Sequence, residues 1–449
     1  MRQSEHPAIA TAVLDVTEAR LACAEILADL RAGVLLDAAF DKRTMALDAR
    51  DRRWAQELVY GLLRRRSVLD SLLDDRVHGG LARLDPDVTD LLRLGVQQLL
   101  HMGSVPSYAA IAQTVELAKQ RHGAGAGALA NAVLRRLDRE RDMLSPRPHA
   151  DPVSALATLH SHPRWLVARW LARWGADGAA ALLETNNHEA PLVVRPYGVV
   201  REQLEATLEA AGVEVRDAAL VDDSLQLDLS SSMTSLGAFR QGLFFVQDPA
   251  ATLVTRYAAF PAGARVADLC AAPGGKTVEL SRSARLVASA DLSAQRLGRL
   301  RETIARLELR NVALLVNDAR TPALAPMDAV LLDAPCAGTG TFRRHPDARW
   351  RLSPGDLTLL AATQRAMLRG AASIVSPGGL LVYSTCSLEP EENDDQVRTF
   401  LAEHDDFMLD PPPDGTVPDA VMDAGFLRVL PHLHGTDGAF AARLRRRSG

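Results

Sequence analysis

Lysine is nearly missing from this chain: its 51 basic residues include only three, Lys42, Lys119 and Lys276. With Ala in excess as well, this reads as a compositional bias of the source genome. It makes each retained Lys worth explaining. Aromatics are scarce, at 4%, so aliphatic side chains and Ala must fill the cores. The four cysteines (Cys23, Cys270, Cys336, Cys386) are too few and too scattered for a disulfide framework. None forms the Cys-x-x-Cys pair of a structural zinc site, so no metal is expected. There is no run of about 18 apolar residues, hence no expected membrane span. The first fifteen residues hold acids and a Pro where a signal peptide needs an apolar core, so a cytoplasmic location is expected. An excess of positive charge is absent too. The formal net charge is -5, which does not announce a nucleic-acid partner.

What is present is globular in kind: 47% apolar and 24% charged residues over 449 positions. At roughly 100–200 residues per domain, that is room for two to four domains. Residues 10–145 read as helical. Ala19, Cys23, Ile26, Leu27 and Leu30 share one helix face, as do Leu92, Val96, Leu99 and Leu100. Asp85-Pro86 suits a helix start. The run GAGAGA at 123–128 should interrupt the pattern before a helix at 129–137, and the Pro-rich 145–152 should close the first domain. Residues 160–187 look helical again. Residues 190–246 then read β-α-β-β-α-β, a small α+β module of a kind that often carries RNA. From about 264 the order becomes β-α-β, with strands expected at 266–270, 286–291, 313–317, 329–333 and 380–384. That is a parallel, doubly wound α/β sheet. The expected domains are 1–150, 151–250 and 251–449.

Such sheets bind ligands beyond the carboxyl ends of their strands, and the unusual residues sit there. The first strand runs into Asp268-Leu-Cys270-Ala271-Ala272-Pro273-Gly274-Gly275-Lys276-Thr277. The two glycines permit close backbone approach, and a helix start offers amide donors to a carboxylate. A Walker loop would need Gly where Cys270 stands, and no G-x-G-x-x-G occurs. Asp291 ends the next strand, where a carboxylate can accept from ribose hydroxyls, although a helix cap would use the same residue. Asp318 ends the third, placed to accept from an adenine amino group. Two such Asp after a Gly loop favour a nucleoside cofactor.

The segments DLCAAPGGKT, DAPCAGTG and STCS together resemble the NOL1/NOP2/Sun family of RNA 5-methylcytosine methyltransferases. The resemblance implies a class I, Rossmann-like S-adenosylmethionine methyltransferase sheet. Cofactor contacts would fall on Cys270, Ala271, Ala272, Pro273, Gly274, Gly275, Lys276, Asp291, Asp318 and Asp333. DRRWAQELVYGLLRRRSVLD, GVQQLLHMGSVPSYAAIAQTVELAK and NAVLRRL are similar to the all-α NusB-like RNA-binding domain. The last strands are matched by LRVLPHLHGTDGAFAARLRR, so the likeness covers nearly the whole chain. A fusion of this length implies a bacterial enzyme acting on a cytosine of 16S rRNA, monomeric and free of membrane. The pattern departs at one point: Arg195 is followed by Pro196-Tyr197 where relatives commonly show Arg-x-Asn.

The chemistry calls for two thiols and a carboxyl group. Cytosine C5 becomes nucleophilic when a thiolate adds at C6, and a base must later remove the C5 proton. A carboxyl group at N3 steadies the charge that develops. Spacing alone does not assign Cys336 and Cys386. The Pro-Cys thiol is the nucleophile of DNA cytosine methyltransferases, and Cys336 stands in that context. The family resemblance implies the opposite: Cys386 as nucleophile, Cys336 assisting release, Asp333 near N3. Lys276 supplies a point charge beside cofactor or base. Cys23 is expected to be a packing residue. RNA contacts are expected among Arg64, Arg65, Arg66, Arg135, Arg136, Arg343, Arg344, His345 and the Arg443–Arg447 tail. His432 and His434 read as loop or RNA-contact residues. Two further readings stay open: an RNA-binding assembly factor with a vestigial methyltransferase domain, and a methyltransferase acting on transfer RNA or another rRNA site.

Overall fold

A computed structural model describes residues 16–229 and 232–448. The start of the expected helical stretch, 10–15, and the leader reading of the first fifteen residues lie outside the described residues. Contacts divide the chain into two compact units, Met1–Gly175 and Ala176–Gly449.

The first unit is helical: α1 (Glu18–Arg31), α2 (Leu36–Thr44), α3 (Ala49–Asp74), α4 (Pro86–His101), α5 (Ser107–Arg139) and α6 (Pro152–Leu159). Sequence signals explain the boundaries. The Asp48 carboxylate accepts from the Asp51 amide and Asp85 from Asp87, with Pro86 in the first turn of α4. The periodic apolar residues form the core, with Cys23, Ile26, Leu27, Leu92, Val96 and Leu99 all buried. Cys23 is a packing residue against α3, its sulfur 3.8 Å from the Ala55 carbonyl. The expected break at 123–128 is narrower in the structure. Only Gly123 leaves helical geometry, at φ 83°, and α5 continues through the rest of the Gly-Ala run. Alternating Ala keeps the helix where consecutive Gly would lose it.

A helix, α7 (Arg164–Thr185), crosses a kink at Gly175 into the second unit. There β1 (Leu192–Pro196), α8 (Arg201–Ala210), β2 (Glu214–Asp217), β3 (Leu225–Asp228), α9 (Gly237–Arg240) and β4 (Phe244–Val246) follow the expected β-α-β-β-α-β order. Their sheet is antiparallel in the order β2-β3-β1-β4. Leu204 and Leu208 of α8 pack on Val194, Leu225, Leu227 and Phe244 beneath it.

The second sheet holds the remaining strands. In chain order its elements are α10 (Pro249–Ala258), β5 (Arg265–Leu269), α11 (Gly275–Ser281), β6 (Leu286–Asp291), α12 (Ala294–Arg306), β7 (Val312–Val316) and β8 (Met327–Asp333). There follow α13 (Ala348–Arg351), α14 (Pro354–Ser373), β9 (Val375–Thr385), α15 (Asp394–Glu403), β10 (Phe407–Leu409), β11 (Met422–Asp423), β12 (Phe426–Val429), α16 (Pro431–His434) and β13 (Ala439–Arg446). The order is β11-β12-β13-β9-β8-β5-β6-β7, with β10 on β13. The five strands β7, β6, β5, β8 and β9 are parallel, as expected. The C-terminal strands return antiparallel, β13 pairing with β9 from Phe440↔Thr385 to Arg445↔Leu380. Apolar layers cover both faces, Leu269, Leu332 and Tyr383 on one, Val266, Leu331 and Val382 on the other. Chain order reverses at β5, between β6 and β8. This is the switch point at which strand ends leave a crevice.

The small sheet is tied to the large one by Arg195. Its guanidinium is 3% exposed and forms two hydrogen bonds to Glu279 of α11, at 2.8 and 2.9 Å, and one to Asp223. Removing one partner of a buried pair leaves the other charge uncompensated, at a cost of about 3 kcal/mol. Arg195→Met is therefore expected to lower the melting transition of the second unit. An unchanged transition in calorimetry would show the tie to be dispensable.

Candidate active site

The loop after β5 is shaped by three constraints. Cys270 adopts φ 65°, the Ala271 amide donates to the Ala290 carbonyl at 2.9 Å, and Gly274 sits at φ 115°. A Cβ on Gly274 would lie 2.3 Å from Leu300 Cδ1, so the glycine lets the loop lie on α12. Below the loop, Asp268 is fully buried and accepts from the Thr277 hydroxyl at 2.5 Å, while its Oδ1 has no partner. Burial pushes its carboxyl up to about 7, against the Thr277 hydrogen bond and with Asp333 adding to the rise. Burial, with Asp333 and Asp291 nearby, also pushes the Cys270 thiol up to about 12. This third thiol is therefore protonated at neutral pH, unlike a nucleophile.

Asp291 is 2% exposed. Its carboxylate accepts from the Ser293 amide at 2.9 Å and from the Ala272 amide at 3.3 Å, and Arg296 lies 3.4 Å away. It thus joins the glycine loop to the start of α12. Asp318, in the loop after β7, is gripped by Arg320 through two guanidinium nitrogens and the Arg320 amide. Those bonds hold its carboxyl below the usual range.

The two motif cysteines meet. Cys336 and Cys386 follow the neighbouring strands β8 and β9, and their sulfurs are 3.3 Å apart. Both are half-buried. The Cys386 sulfur, followed by burial, pushes the Cys336 thiol well above its ordinary value. Beside them Asp333 joins two partners, with Lys276 Nζ at 2.7 Å on one oxygen and the Ser384 hydroxyl at 2.8 Å on the other. Burial opposes the Lys276 charge, but Asp333 outweighs it and holds the ammonium above its usual range. A cavity of about 400 Å³ opens on Cys336, walled by Ala337, Leu352, Leu359 and Leu360, with Arg351 at its margin.

Several expected RNA contacts have a different task. Arg343 is 5% exposed and donates to the Gly435 carbonyl at 2.9 Å. Arg344 bonds Asp437 at 2.5 Å and Asp248 at 2.6 Å. Both guanidiniums brace the loop after β8 against α10 and the β13 approach. His345 is half-buried within the same turn. Arg443, Arg445 and Arg446 of the expected RNA-contact tail pair with Asp410 and Asp406. In the first unit, Arg64, Arg65 and Arg66 are half-buried along α3. Arg135 and Arg136 are exposed on α5 and, among the described residues, bond the nearby Asn131 and Glu140. His434 accepts from the Leu430 amide, closing the α16 turn.

Sequence reasoning missed the residues that hold the thiol loops. Gly340 and Gly438 lie back to back. A Cβ on Gly340 would lie 2.6 Å from the Cys386 carbonyl oxygen and 2.7 Å from Gly438 Cα. Glu392, Gln364 and Asn393 are buried polar side chains wired into the same loops. The run Glu389-Pro390-Glu391-Glu392-Asn393, directly after Thr-Cys-Ser, was the available signal.

Comparison with known proteins agrees with this layout. The family model described as 16S rRNA methyltransferase RsmB/F matches residues 259–445, the NusB family model 17–139, and an RsmF/B-like ferredoxin-like domain 162–234. The probable ribosomal RNA small subunit methyltransferase B of Synechocystis sp. is 33% identical over 427 residues, spanning 92% of this chain and 95% of its own. The Bacillus subtilis protein of the same name is 35% identical over 415 residues, 89% and 92% of the two chains. Among solved structures, that of PH0851 superposes with a TM-score of 0.79 at 28% identity, covering 96% of this chain and 100% of that one. NSun6 from Pyrococcus horikoshii, solved with SFG, shares the fold at a TM-score of 0.57 and 22% identity, over 63% of this chain and 98% of its own.

Asp268 yields a pH test. Its native value of about 7 lies above the ordinary 3.8, so the unfolded chain ionises first as pH rises. The stability tied to this group is present below about pH 4 and is lost by about pH 7. Asp268→Asn removes that loss. Urea unfolding without cofactor should show the variant gaining on the wild type between about pH 4 and pH 7, by on the order of 1–3 kcal/mol. A pH-independent difference would contradict the assignment.

Proposed function

The chain belongs to the family of ribosomal RNA small subunit methyltransferase B, and we propose that it methylates C5 of one cytosine in 16S rRNA through a covalent cysteine adduct. It is an S-adenosylmethionine-dependent rRNA methyltransferase. The crevice suits that cofactor in its donor set. Amides at the start of α11 precede the helix ladder and would donate to the carboxylate of the cofactor, and Asp291 and Asp318 would supply acceptors for its hydroxyl and amino groups. Cys270 to Lys276, Asp291, Asp318 and Asp333 would hold it. When bound, the cofactor supplies the methyl group as an electrophile. Working as a single chain in the cytoplasm, the enzyme would meet its RNA through the exposed Arg135 and Arg136 of the NusB-like unit. Flipping the base costs a few kcal/mol, which phosphate contacts must offset.

The observation that carries the reading is the pair of sulfurs 3.3 Å apart beside the Lys276–Asp333 ion pair. Cys386 adds to C6 of the cytosine, and the displaced electron pair makes C5 nucleophilic. Asp333, oriented by Lys276 and Ser384, lies near N3, and a proton held between its carboxyl group and N3, with the Lys276 ammonium beside it, steadies that charge. Cys336 is held as a thiol at rest, chiefly by the sulfur of Cys386. Once that sulfur is bonded to C6, its share of the restraint is gone while those of burial and Glu392 remain, and Cys336 gives up its proton to solvent. Its thiolate then takes the C5 proton. The C–H electrons re-form the C5–C6 double bond, and Cys386 leaves as thiolate.

Adduct trapping tests these roles. With rRNA and S-adenosylmethionine, Cys336→Ala should give a denaturation-resistant protein–RNA band. Cys386→Ala should give neither band nor methylation. A reversed pattern exchanges the two cysteines, and wild-type protein that binds rRNA yet never methylates it would establish a scaffold instead.

A further inference from the structure

We propose that Glu392 and Gln364 form a buried clamp that positions Cys336 for release of the methylated base. The proposal rests on the release role given to Cys336 above.

Cys336 lies on an irregular segment beyond β8. Its neighbours' polar groups need partners there, and both find them in the clamp. The Pro335 carbonyl accepts from Gln364 Nε2 at 2.9 Å, and the Ala337 amide donates to Glu392 Oε1 at 2.9 Å. The same Glu392 oxygen accepts the second hydrogen of Gln364 Nε2 at 2.8 Å. One side-chain amide thus closes a ring around Cys336, touching the residue before it directly and the residue after it through the carboxylate. Glu392 and Gln364 are each 0% exposed.

The clamp also refers Cys336 to Cys386. Glu392 ends a short turn, Pro390–Glu392, six residues beyond Cys386, and its carbonyl accepts from the Tyr383 hydroxyl of β9 at 2.6 Å. Gln364 comes from α14. The turn that follows one thiol and α14 therefore fix the backbone on the two sides of the other. A buried carboxylate is expensive, and burial raises this one above its ordinary range. An apolar residue would fill the space at less cost but could not accept two N–H groups. Among the described residues no hydrogen bond from the clamp side chains reaches Cys386, Lys276 or Asp333; Glu392 also meets the Ser387 side chain next to Cys386, whereas Gln364 reaches the Cys336 side, so the clamp's effect should fall on the step that needs Cys336.

The test separates methyl transfer from turnover in the full chain, using rRNA and S-adenosylmethionine. Glu392→Ala and the volume-keeping Gln364→Met should retain single-turnover methyl transfer within about threefold. Steady-state turnover should fall at least about tenfold, the scale expected of a misplaced catalytic group. Both should accumulate the denaturation-resistant adduct although both cysteines are present. Glu392→Gln, which keeps an acceptor for both N–H groups, should restore turnover and abolish the band. Equal loss of transfer and turnover in folded Glu392→Ala and Gln364→Met, with no band, would reduce the clamp to a purely structural part. Cys336→Ala is the control. If it accumulates adduct and the clamp variants do not, the clamp proposal alone falls. If it does not, the release role of Cys336 falls, and the clamp proposal with it.

Discussion

The site depends on one register. In the parallel pairing of β8 with β9, Asp333 stands opposite Ser384, and the two chains leave the sheet side by side carrying Cys336 and Cys386. A slip of one residue would turn the side chains of one strand to the other face and carry its end about 3.3 Å along. Either change would separate sulfurs that now lie 3.3 Å apart. The register is enforced from the far side, where β13 pairs antiparallel with β9 as far as Thr385. Just before β13, Gly438 donates its amide to the Gly340 carbonyl at 2.8 Å. Gly340 in turn donates to the Cys386 carbonyl at 3.0 Å. Three loops distant in sequence thus meet at backbone contact, and only residues without a side chain fit between them.

Electrostatics then differentiates groups that the register brings together. Asp268 and Asp333 end adjacent parallel strands, yet they differ in state. Asp268 is sealed beneath the loop, and burial drives it toward the neutral form. Asp333 is balanced by Lys276 at 2.7 Å. A guanidinium at position 276 would be broader and planar, whereas an ammonium on a narrow stem can enter the space beside one carboxylate oxygen. That geometry gives a reason for one Lys to persist in a chain that otherwise uses Arg.

The parallel core and the site residues at its strand ends were legible because both follow local rules. Runs of aliphatic residues mark strands buried on both faces, and Asp, Cys and Gly at their ends break the apolar pattern where function sits. The C-terminal strands were less legible. They are short, and β13 carries Arg443, Arg445 and Arg446, whose partners Asp410 and Asp406 lie in another segment. The same reason hid the ion pairs of Arg343 and Arg344. A run of like charges reads as a solvated patch, and nothing local announces Asp248 and Asp437 about 90 residues away on either side. Glu392 was hidden in the opposite way. It stands among exposed-looking acids after the Thr-Cys-Ser motif, and only the return of α14 with Gln364 reveals it as a buried acceptor.

Two adjacent thiols offer something that one thiol cannot. A single cysteine can attack C6, but the adduct then needs a base at C5 that was not a competing nucleophile beforehand. A thiol kept protonated by a neighbouring sulfur meets both conditions. While Cys386 is free, it suppresses the thiolate of Cys336. Under the proposed mechanism Cys386 becomes a thioether, and its share of that suppression ends when a base is required, while burial and Glu392 still act on the thiol. Such coupling fades steeply with distance, so the contact must be held. Rigid backbone on both sides of Cys336, and glycine packing behind Cys386, are what this chemistry demands of the fold.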